Sequence, residues 1–279
     1  MQEPRCQEHR PDMPKGSAQW AVILGASSGF GSASAVALAR QGFDIVGVHL
    51  DRASTLPSAE KTVADIEAAG RQALFFNVDA SDAKNRRTII QQMQNAFGVS
   101  PAPSTVRVLL HSLAFGSLRP FLAANGDKAI TPAQMDMTLN VMANSLVYWT
   151  QDLFDAKLLE RGAKILSMTS AGSARVWSHY GAVSAAKAAL ESHTRQLAYE
   201  LAPHGVSVNC LRAGVTDTPA LRKIPTHQQM LDQVLQRSPS GRLTTVDDVA
   251  GFVAHFALAE DTWVTGNVIN VDGGEFGLG

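Results

Sequence analysis

Short apolar runs alternate with longer amphipathic stretches along this chain from residue 20 onward. The apolar runs are rich in Val and Ile and only four to six residues long, which is typical of strands buried on both faces of a sheet. They cover residues 21–24, 45–50, 73–78, 106–110, 165–168, 206–211 and 268–271. The stretches between them have the period of a helix and cover residues 32–40, 59–69, 83–97, 132–159, 183–201, 227–236 and 246–258.

This alternation of strand and helix indicates the fold class. Parallel strands need crossover connections, which are usually helices, and these cover both faces of the sheet. Gly42 and Gly70 stand where a helix is often followed by a glycine. The pattern therefore predicts an α/β fold of the Rossmann type, a doubly wound parallel sheet of about seven strands with helices on both faces.

Composition narrows the classes of protein. The chain has 279 residues, of which 45% are hydrophobic and 18% charged, so it can bury a large core. A net charge of −1 provides no overall basic field for nucleic acid or acidic lipid. The chain has only two cysteines, which fits a reducing compartment, and no apolar run approaches the roughly 20 residues of a membrane span. We therefore expect a cytoplasmic protein without nucleic-acid or membrane partners.

Domain organisation follows from where polarity changes. Residues 1–18 are polar, contain Pro and lack the apolar segment of a secretory signal, so we expect a disordered tail. No linker or internal repeat divides residues 19–279, which are predicted to form a single domain. The eight histidines include no His-x-x-x-His pair and no Cys/His cluster, so no metal site is predicted.

A glycine-rich turn, GASSGFG, links the first predicted strand to the first predicted helix. Glycines let the backbone approach a pyrophosphate closely, and a helix N-terminus offers free N–H groups and the positive end of its dipole. An ordinary tight turn is the alternative, but the position favours a nucleotide site. The residues predicted to form it are Gly25, Ser27, Ser28, Gly29, Phe30 and Gly31.

Acidic residues follow the second and third predicted strands. Asp51 can accept hydrogen bonds from an adenosine ribose and favours NADH, whereas Arg52 beside it would attract the 2′-phosphate of NADPH. The choice between the two cofactors therefore stays open, and a surface ion pair is the alternative interpretation. Asp79 can accept from the adenine amino group or serve only in a strand-end turn.

Residues 167–187, which read SMTSAGSARVWSHYGAVSAAK, contain the most specific pattern. Together with the glycine turn, the Asn-Val-Asp of residues 77–79 and the Val-Asp-Gly-Gly of residues 271–274, they make the chain from residue 20 to 274 resemble the short-chain dehydrogenase/reductase family. The resemblance implies a nicotinamide-dependent oxidoreductase with Ser170, Tyr180 and Lys187 as catalytic residues, Lys187 also binding the cofactor.

One spacing departs from ordinary members, which place the tyrosine four residues before the lysine. That position is Val183, and Tyr180 lies seven residues before Lys187, nearly two helical turns and so on the same face. This spacing, and HSLAFG at residues 111–116, resemble the enoyl-[acyl-carrier-protein] reductases. The commonest enoyl reductases carry tyrosine at the position of Ser170. A bacterial variant of that branch combines a serine there with the longer spacing and an ordinary glycine motif, and this chain resembles that variant.

The resemblance implies a reaction and further contacts. Hydride would add to the β-carbon of a trans-2-enoyl thioester, with Tyr180 stabilising the enolate oxygen and Lys187 tuning the phenol. Ser170 would assist the same oxygen or only cap a strand end. The segment RAGVTDT resembles the family's Pro-Gly-x-x-x-Thr motif, and the implied cofactor contacts are Asp79, Ala80, Ser112, Leu113, Gly214, Thr216 and Thr218.

Substrate and partners are also implied. Residues 219–230 resemble a mobile segment over the acyl chain, and Phe115 and Trp177 are either walls of that site or core residues. The expected substrate is an acyl thioester on acyl carrier protein or coenzyme A, and Arg212 and Arg222 could contribute to a basic patch for such a carrier. Family members are usually homotetramers.

Two other functions compete with enoyl reduction. A carbonyl reductase or alcohol dehydrogenase would use the same Tyr–Lys pair on a ketone oxygen, and Ser170 suits it. A nucleotide-binding regulator without catalysis is the third hypothesis, and the presence of both Tyr180 and Lys187 argues against it.

Overall fold

A single sheet of seven parallel strands organises the chain. The computed structural model describes residues 18–98, 104–123 and 128–278, so the predicted tail lies outside the described residues except for Ala18, which begins the first strand. The strands are β1 Ala18–Leu24, β2 Asp44–His49, β3 Ala73–Asn77, β4 Ser104–His111, β5 Leu159–Thr169, β6 Ser207–Ala213 and β7 Val268–Val271. Their order in the sheet is β3-β2-β1-β4-β5-β6-β7.

Helices cover both faces of this sheet. They are α1 Gly29–Arg40, α2 Leu56–Ala68, α3 Ala83–Gly98, α4 Pro132–Leu139, α5 Ser145–Asp155, α6 Gly181–Leu201, α7 His227–Arg237, α8 Val246–Leu258 and α9 Glu275–Leu278. Helices α3, α5 and α6 pack on one face, and α1, α2 and α8 pack on the other, so the predicted doubly wound α/β fold is confirmed.

Strand β1 shows why these short apolar runs become central strands. Successive side chains of a strand point to opposite faces. Trp20, Val22 and Leu24 pack into the core on the α3–α5–α6 side, while Ala21 and Ile23 pack into the core on the other side. Since both faces are buried, the run is continuously apolar rather than alternating.

The helix predicted over residues 132–159 is confirmed as far as Asp155, but it contains a π-helical turn and ends four residues earlier than predicted. Asn140–Asn144 forms a π-helical turn between α4 and α5, and α5 ends at Asp155. The end is a Schellman motif, in which the Leu158 N–H donates to the Leu153 carbonyl (3.0 Å) and Lys157 adopts a left-handed φ of 56°. Because a lysine stands where glycine usually marks this motif, the sequence carries no stop signal there.

The topology locates the crevice of the fold. The strand order changes direction between β1 and β4, and ligands of doubly wound sheets bind at the carboxyl ends of the strands at such a point. In the described ranges every helix is too short or too polar to cross a lipid bilayer. Within the same ranges, no three His, Cys, Asp or Glu side chains come together as a metal ion would require.

Candidate active site

The glycine turn after β1 is shaped by close backbone contacts. Gly25 has a left-handed φ of 89°, and its N–H donates to the Val48 carbonyl at 2.8 Å. A Cβ on Gly25 would lie 2.5 Å from the Ser112 carbonyl oxygen, and one on Gly31 would lie 2.0 Å from the Gly25 oxygen. Side chains at these positions would collide with backbone, so the turn requires glycine.

The N-terminus of α1 is open to an anion. Ser28 occupies the N-cap position without a capping side-chain hydrogen bond, and the first turn of α1 contains no acidic residue. Ser27 is buried, and its carbonyl accepts from Ser58 Oγ at 2.7 Å. Phe30 packs against the core on the α1 side. The turn therefore fits a pyrophosphate, because N–H groups and the helix dipole attract negative charge.

Asp51 follows β2 beside this turn. Its carboxylate lies 2.8 Å from His49 Nδ1, and its backbone is paired with the Asn77 side chain by hydrogen bonds of 2.8 and 3.0 Å. Burial raises the pKa of Asp51, but hydrogen bonds from Thr55, Ser27 and His49 outweigh it and leave the pKa below its ordinary value. The result is an oriented, ionised carboxylate.

Arg52 is exposed next to Asp51. Its backbone exchanges hydrogen bonds with the Thr55 hydroxyl at 3.2 and 3.3 Å. For the described part of the chain, its guanidinium has no hydrogen bond or ion pair. A cation is thus available at the same strand end as the carboxylate.

Asp79 and Ala80 are engaged with protein atoms. Asp79 Oδ1 accepts from the backbone N–H and the hydroxyl of Ser81, both at 2.8 Å. The Ala80 carbonyl accepts from Trp149 Nε1 at 2.8 Å. These contacts match the strand-end turn that the sequence left open for Asp79, and a role at the adenine stays a prediction.

The end of β4 lies directly against the glycine turn. The Ser112 N–H donates to the Leu24 carbonyl at 2.9 Å, which places Ser112 and Leu113 beside Gly25. Before them, His111 is fully buried, and its Nε2 lies 2.8 Å from Ser145 Oγ. Burial and the charge of Lys187 lower the pKa of His111 to about 3, so its ring is neutral.

Ser170 and Tyr180 meet at the carboxyl end of β5. Their hydroxyl oxygens lie 3.5 Å apart, and Tyr180 stands at the N-cap position of α6. A Cβ on Gly172 would lie 2.4 Å from Tyr180 Cε1, so glycine makes room for the ring. Burial raises the pKa of the Tyr180 phenol, and the Ser170 hydroxyl offsets part of that rise.

Lys187 lies two turns further along α6 and is buried. Its Nζ donates to the Met168 carbonyl at 2.6 Å. Burial lowers its pKa to about 8, although Cys210 and Glu191 act in the opposite direction. Among the contacts of the described residues, none joins this ammonium to the Tyr180 phenol directly.

Val183 occupies the position where ordinary members carry the tyrosine. Its side chain is buried in the core on the α6 side. No proton donor is therefore available there, and Tyr180 is the phenol at the carboxyl end of β5.

A cavity of about 500 Å³ opens beside Tyr180. Of the two residues that the sequence left as site walls or core, Trp177 lines this cavity, whereas Phe115 is 58% exposed and is not among its lining residues. Sequence reasoning missed Phe121 and His179, which also line the cavity. His179 has a left-handed φ of 62°, a conformation that His tolerates better than most residues, but no motif marks either residue.

The segment after β6 reaches the opposite side of the crevice. The Gly214 N–H donates to the Val271 carbonyl at 3.2 Å, and Thr216 Oγ1 donates to the Gly214 carbonyl at 3.0 Å. Thr218 is buried, and its methyl carbon lies 3.7 Å from where a Cβ on Gly29 would stand. Residues predicted for one cofactor site thus come together from β1, β4 and β6.

The two arginines considered for a carrier patch are both paired. Arg212 lies 3.4 Å from Glu191, and Arg222 makes a bidentate ion pair with Asp217 at 2.7 and 2.8 Å. Neither side chain supplies an unpaired cation for an acidic carrier.

Residues 25–275 match the sequence model of a family described as Enoyl-(Acyl carrier protein) reductase. The chain is 29% identical to 1-cyclohexenylcarbonyl-CoA reductase of Streptomyces collinus, over 92% of this chain and 86% of that one. It is 30% identical to cyclohexanol dehydrogenase of Rhodococcus sp. strain TK6, over 91% and 94% of the two chains.

Solved structures agree with these relationships. A short-chain dehydrogenase from Burkholderia cenocepacia in complex with NADP is 30% identical, with a TM-score of 0.75 over 92% of this chain and 97% of that one. An enoyl-(acyl-carrier-protein) reductase from Anaplasma phagocytophilum in complex with NAD shares the fold at 22% identity, with a TM-score of 0.76 over 94% and 93%. The chain belongs to the short-chain dehydrogenase/reductase family of oxidoreductases.

Proposed function

We propose that this protein uses NADH or NADPH to reduce the C=C bond of a trans-2-enoyl thioester. The observation that carries the proposal is Tyr180, a residue that lines a cavity of about 500 Å³ and whose hydroxyl oxygen lies 3.5 Å from that of Ser170. Lys187 follows it on the same helix, while Val183 is buried in the core. This arrangement supports the longer Tyr–Lys spacing of enoyl reductases as the working pair.

The family match and one relative support the thioester class. The matching family is described as an enoyl reductase, and the Streptomyces relative is named for a cyclohexenylcarbonyl-CoA substrate. We infer a thioester of coenzyme A or acyl carrier protein. The alternative is reduction of a ketone or oxidation of a secondary alcohol, which is favoured by the Ser170–Tyr180 contact and by the Rhodococcus cyclohexanol dehydrogenase.

We assign residues of the crevice to each part of a bound dinucleotide. The N–H groups of the glycine turn and Thr218 would hold the pyrophosphate, and Asp51 or Arg52 would contact the adenosine ribose. Asp79 and Ala80 would border the adenine. Ser112, Leu113, Gly214 and the backbone at Thr216 would border the nicotinamide half, where Lys187 would hold the ribose.

The bound reduced nicotinamide would supply hydride to the β-carbon. Negative charge then develops on the thioester oxygen, where the Tyr180 hydroxyl donates a hydrogen bond. A phenol with a raised pKa stays protonated at neutral pH, so it is available as that donor and as a proton source. Lys187 has further N–H groups beyond the one that contacts Met168, and turning toward the ribose would bring its charge nearer the phenol.

A substrate panel tests the proposal. We expect oxidation of NADH or NADPH with crotonyl-CoA and with 1-cyclohexenylcarbonyl-CoA, followed by nicotinamide absorbance. Mass spectrometry should show the saturated thioester, two mass units heavier than the substrate, because one C=C bond gains two hydrogens. Cofactor oxidation with cyclohexanone and with neither thioester would assign the protein to the alternative.

The choice of cofactor depends on Asp51. Its ionised carboxylate repels a 2′-phosphate, so Asp51→Ala should lower kcat/KM for NADH by about tenfold and improve the use of NADPH. Steady-state kinetics with both cofactors measure the ratio. Asp65→Ala, which removes an exposed carboxylate of α2 paired with Lys61, is the matched control. An unchanged ratio in Asp51→Ala would exclude contact between Asp51 and the ribose.

Three wider expectations stay predictions. Residues 19–279 would act as one domain that holds cofactor and substrate together. The protein would work as a homotetramer, and it would do so in the cytoplasm. Sedimentation of the purified chain measures the assembly.

A further inference from the structure

A short segment near the end of the chain, residues 272–276, connects the two loops that border the crevice. It follows β7 and contacts both the loop after β6 and the segment between β5 and α6. We call it the C-terminal clamp. None of its side chains belongs to the motifs that identify the cofactor turn or the Tyr–Lys pair.

The first contact runs through Glu275. Its Oε2 accepts from the Val215 N–H at 2.8 Å, and the side chain is only 8% exposed. A Cβ on Gly214 would lie 2.7 Å from the same oxygen, so the carboxylate packs closely against this loop. Val215 directly precedes Thr216, whose backbone is proposed to face the nicotinamide.

The second contact runs through Phe276. Its ring contacts two guanidinium groups, whose central carbons lie 4.0 Å (Arg212) and 5.0 Å (Arg175) from the ring centroid. Arg175 also donates to the Phe276 carbonyl at 3.0 Å. Since Arg175 lies between Ser170 and Tyr180 in the chain, this contact joins the clamp to the catalytic segment.

The clamp is held in shape by its own carboxylate. Asp272 accepts from the Gly274 and Phe276 N–H groups, both at 2.9 Å. Glu275 and Phe276 are thereby held together on one short turn. A displacement of either loop would have to break a charge-assisted hydrogen bond or the stack of ring and guanidinium groups.

We propose that Glu275 is a positioning residue that holds the backbone of residues 214–216 in the conformation that receives the nicotinamide half of the cofactor. This role rests on the proposed function. Glu275 contacts the loop and not the reacting atoms, so its loss should weaken cofactor binding more than it slows the chemical step.

A series of substitutions at one position tests the reach of the side chain. In Glu275→Gln the amide oxygen still reaches the Val215 N–H, whereas Glu275→Ala removes the acceptor and Glu275→Asp withdraws the carboxylate by one methylene. We expect the Kd and KM for the reduced cofactor to rise about tenfold in the Ala and Asp variants. The Gln variant should stay within about threefold of the unsubstituted protein, and kcat should change little in all three.

Asp44→Ala supplies the control for a merely structural loss. Asp44 is a buried carboxylate that accepts from the Gln72 N–H at 2.9 Å, at the amino end of β2 and in the opposite half of the sheet from β6 and β7. The Asp44→Ala substitution should lower the melting temperature of the protein without changing its Kd for the cofactor. If Glu275→Ala does not fold, the Asp and Gln variants still compare a short side chain with a long one.

Two results would overturn the inference, and they are distinguishable. If the unsubstituted protein binds and oxidises the cofactor but Glu275→Ala and Glu275→Asp keep its Kd, then Glu275 has no positioning role. If the unsubstituted protein binds neither NADH nor NADPH in a fluorescence titration, the proposed function fails and this inference fails with it. A rise in Kd for the short side chains alone supports it.

Discussion

Tyr180→Phe is expected to lower kcat for an enoyl thioester by roughly 100- to 10,000-fold, the usual contribution of a positioned proton donor. The substitution removes only the hydroxyl, which lies 3.5 Å from Ser170 Oγ, and leaves the rest of a residue that lines the cavity. The ring remains to fill the space beside Gly172. The Kd for the cofactor should stay near its original value, because the phenol is assigned to the substrate oxygen.

Single-turnover kinetics and a cofactor titration measure these two quantities separately. Tyr199→Phe is the matched control, because Tyr199 lies near the end of the same helix and is 79% exposed. Its activity should equal that of the unsubstituted chain. Unchanged turnover in Tyr180→Phe would mean that another group serves the developing oxyanion.

Lys187→Met should lower kcat/KM for the cofactor by roughly 100-fold, because it removes a buried cation with several donors from the proposed ribose site. The methionine side chain is of similar length and fills the same space. Turnover should fall as well, since the ammonium no longer stabilises negative charge on the Tyr180 phenol oxygen and the thioester oxygen.

The pH dependence gives this prediction a second readout. Burial lowers the pKa of Lys187 to about 8, so the ammonium is charged at neutral pH and loses its proton as the pH rises through that value. The Tyr180 phenol, whose pKa is raised, does not titrate in the same range. We therefore expect kcat/KM for the cofactor to decline above about pH 8 in the unsubstituted protein, and Lys187→Met to lack this decline.

Lys164→Met is the control for removing a buried lysine. Lys164 is fully buried in β5, donates to the Asp261 carbonyl, and also has a pKa lowered to about 8, chiefly by burial. Lys164 is the middle residue of β5 and therefore lies away from the carboxyl ends of the strands. An alkaline decline that persists in Lys187→Met and disappears in Lys164→Met would contradict the assignment.

The sheet was predictable because burial on both faces leaves a strong local signal. Each central strand is a short run of apolar residues, as β1 shows with Trp20 and Ala21 packed on opposite faces. The helix over residues 132–159 was not predictable in full. Its end depends on Lys157 in a left-handed conformation, and no Gly or Pro marks that turn.

Part of the site was predictable for a related reason. Parallel strands end at one edge of the sheet, so residues that directly follow strands must share the crevice whatever their distance in sequence. This places Ser112 against Gly25 and Thr218 against Gly29. The Tyr180–Lys187 pair is local to one helix and is visible in the spacing alone.

The sequence by itself determined the strand–helix alternation, the glycine turn, the family and the candidate proton donor, because each element and each motif is a pattern of residues close together in the chain, and the family follows from several such motifs in order. Only the tertiary structure decided which groups form hydrogen bonds with each other. It engages the Asp79 carboxylate with Ser81, turns Lys187 to the Met168 carbonyl, and brings Glu275 to Val215. The last two contacts join segments far apart in sequence. The turn at Asp79 is local, but its residues are compatible with other backbone conformations, so the sequence alone does not determine it. Distances of this kind follow from the packing of whole elements and leave no pattern along the chain.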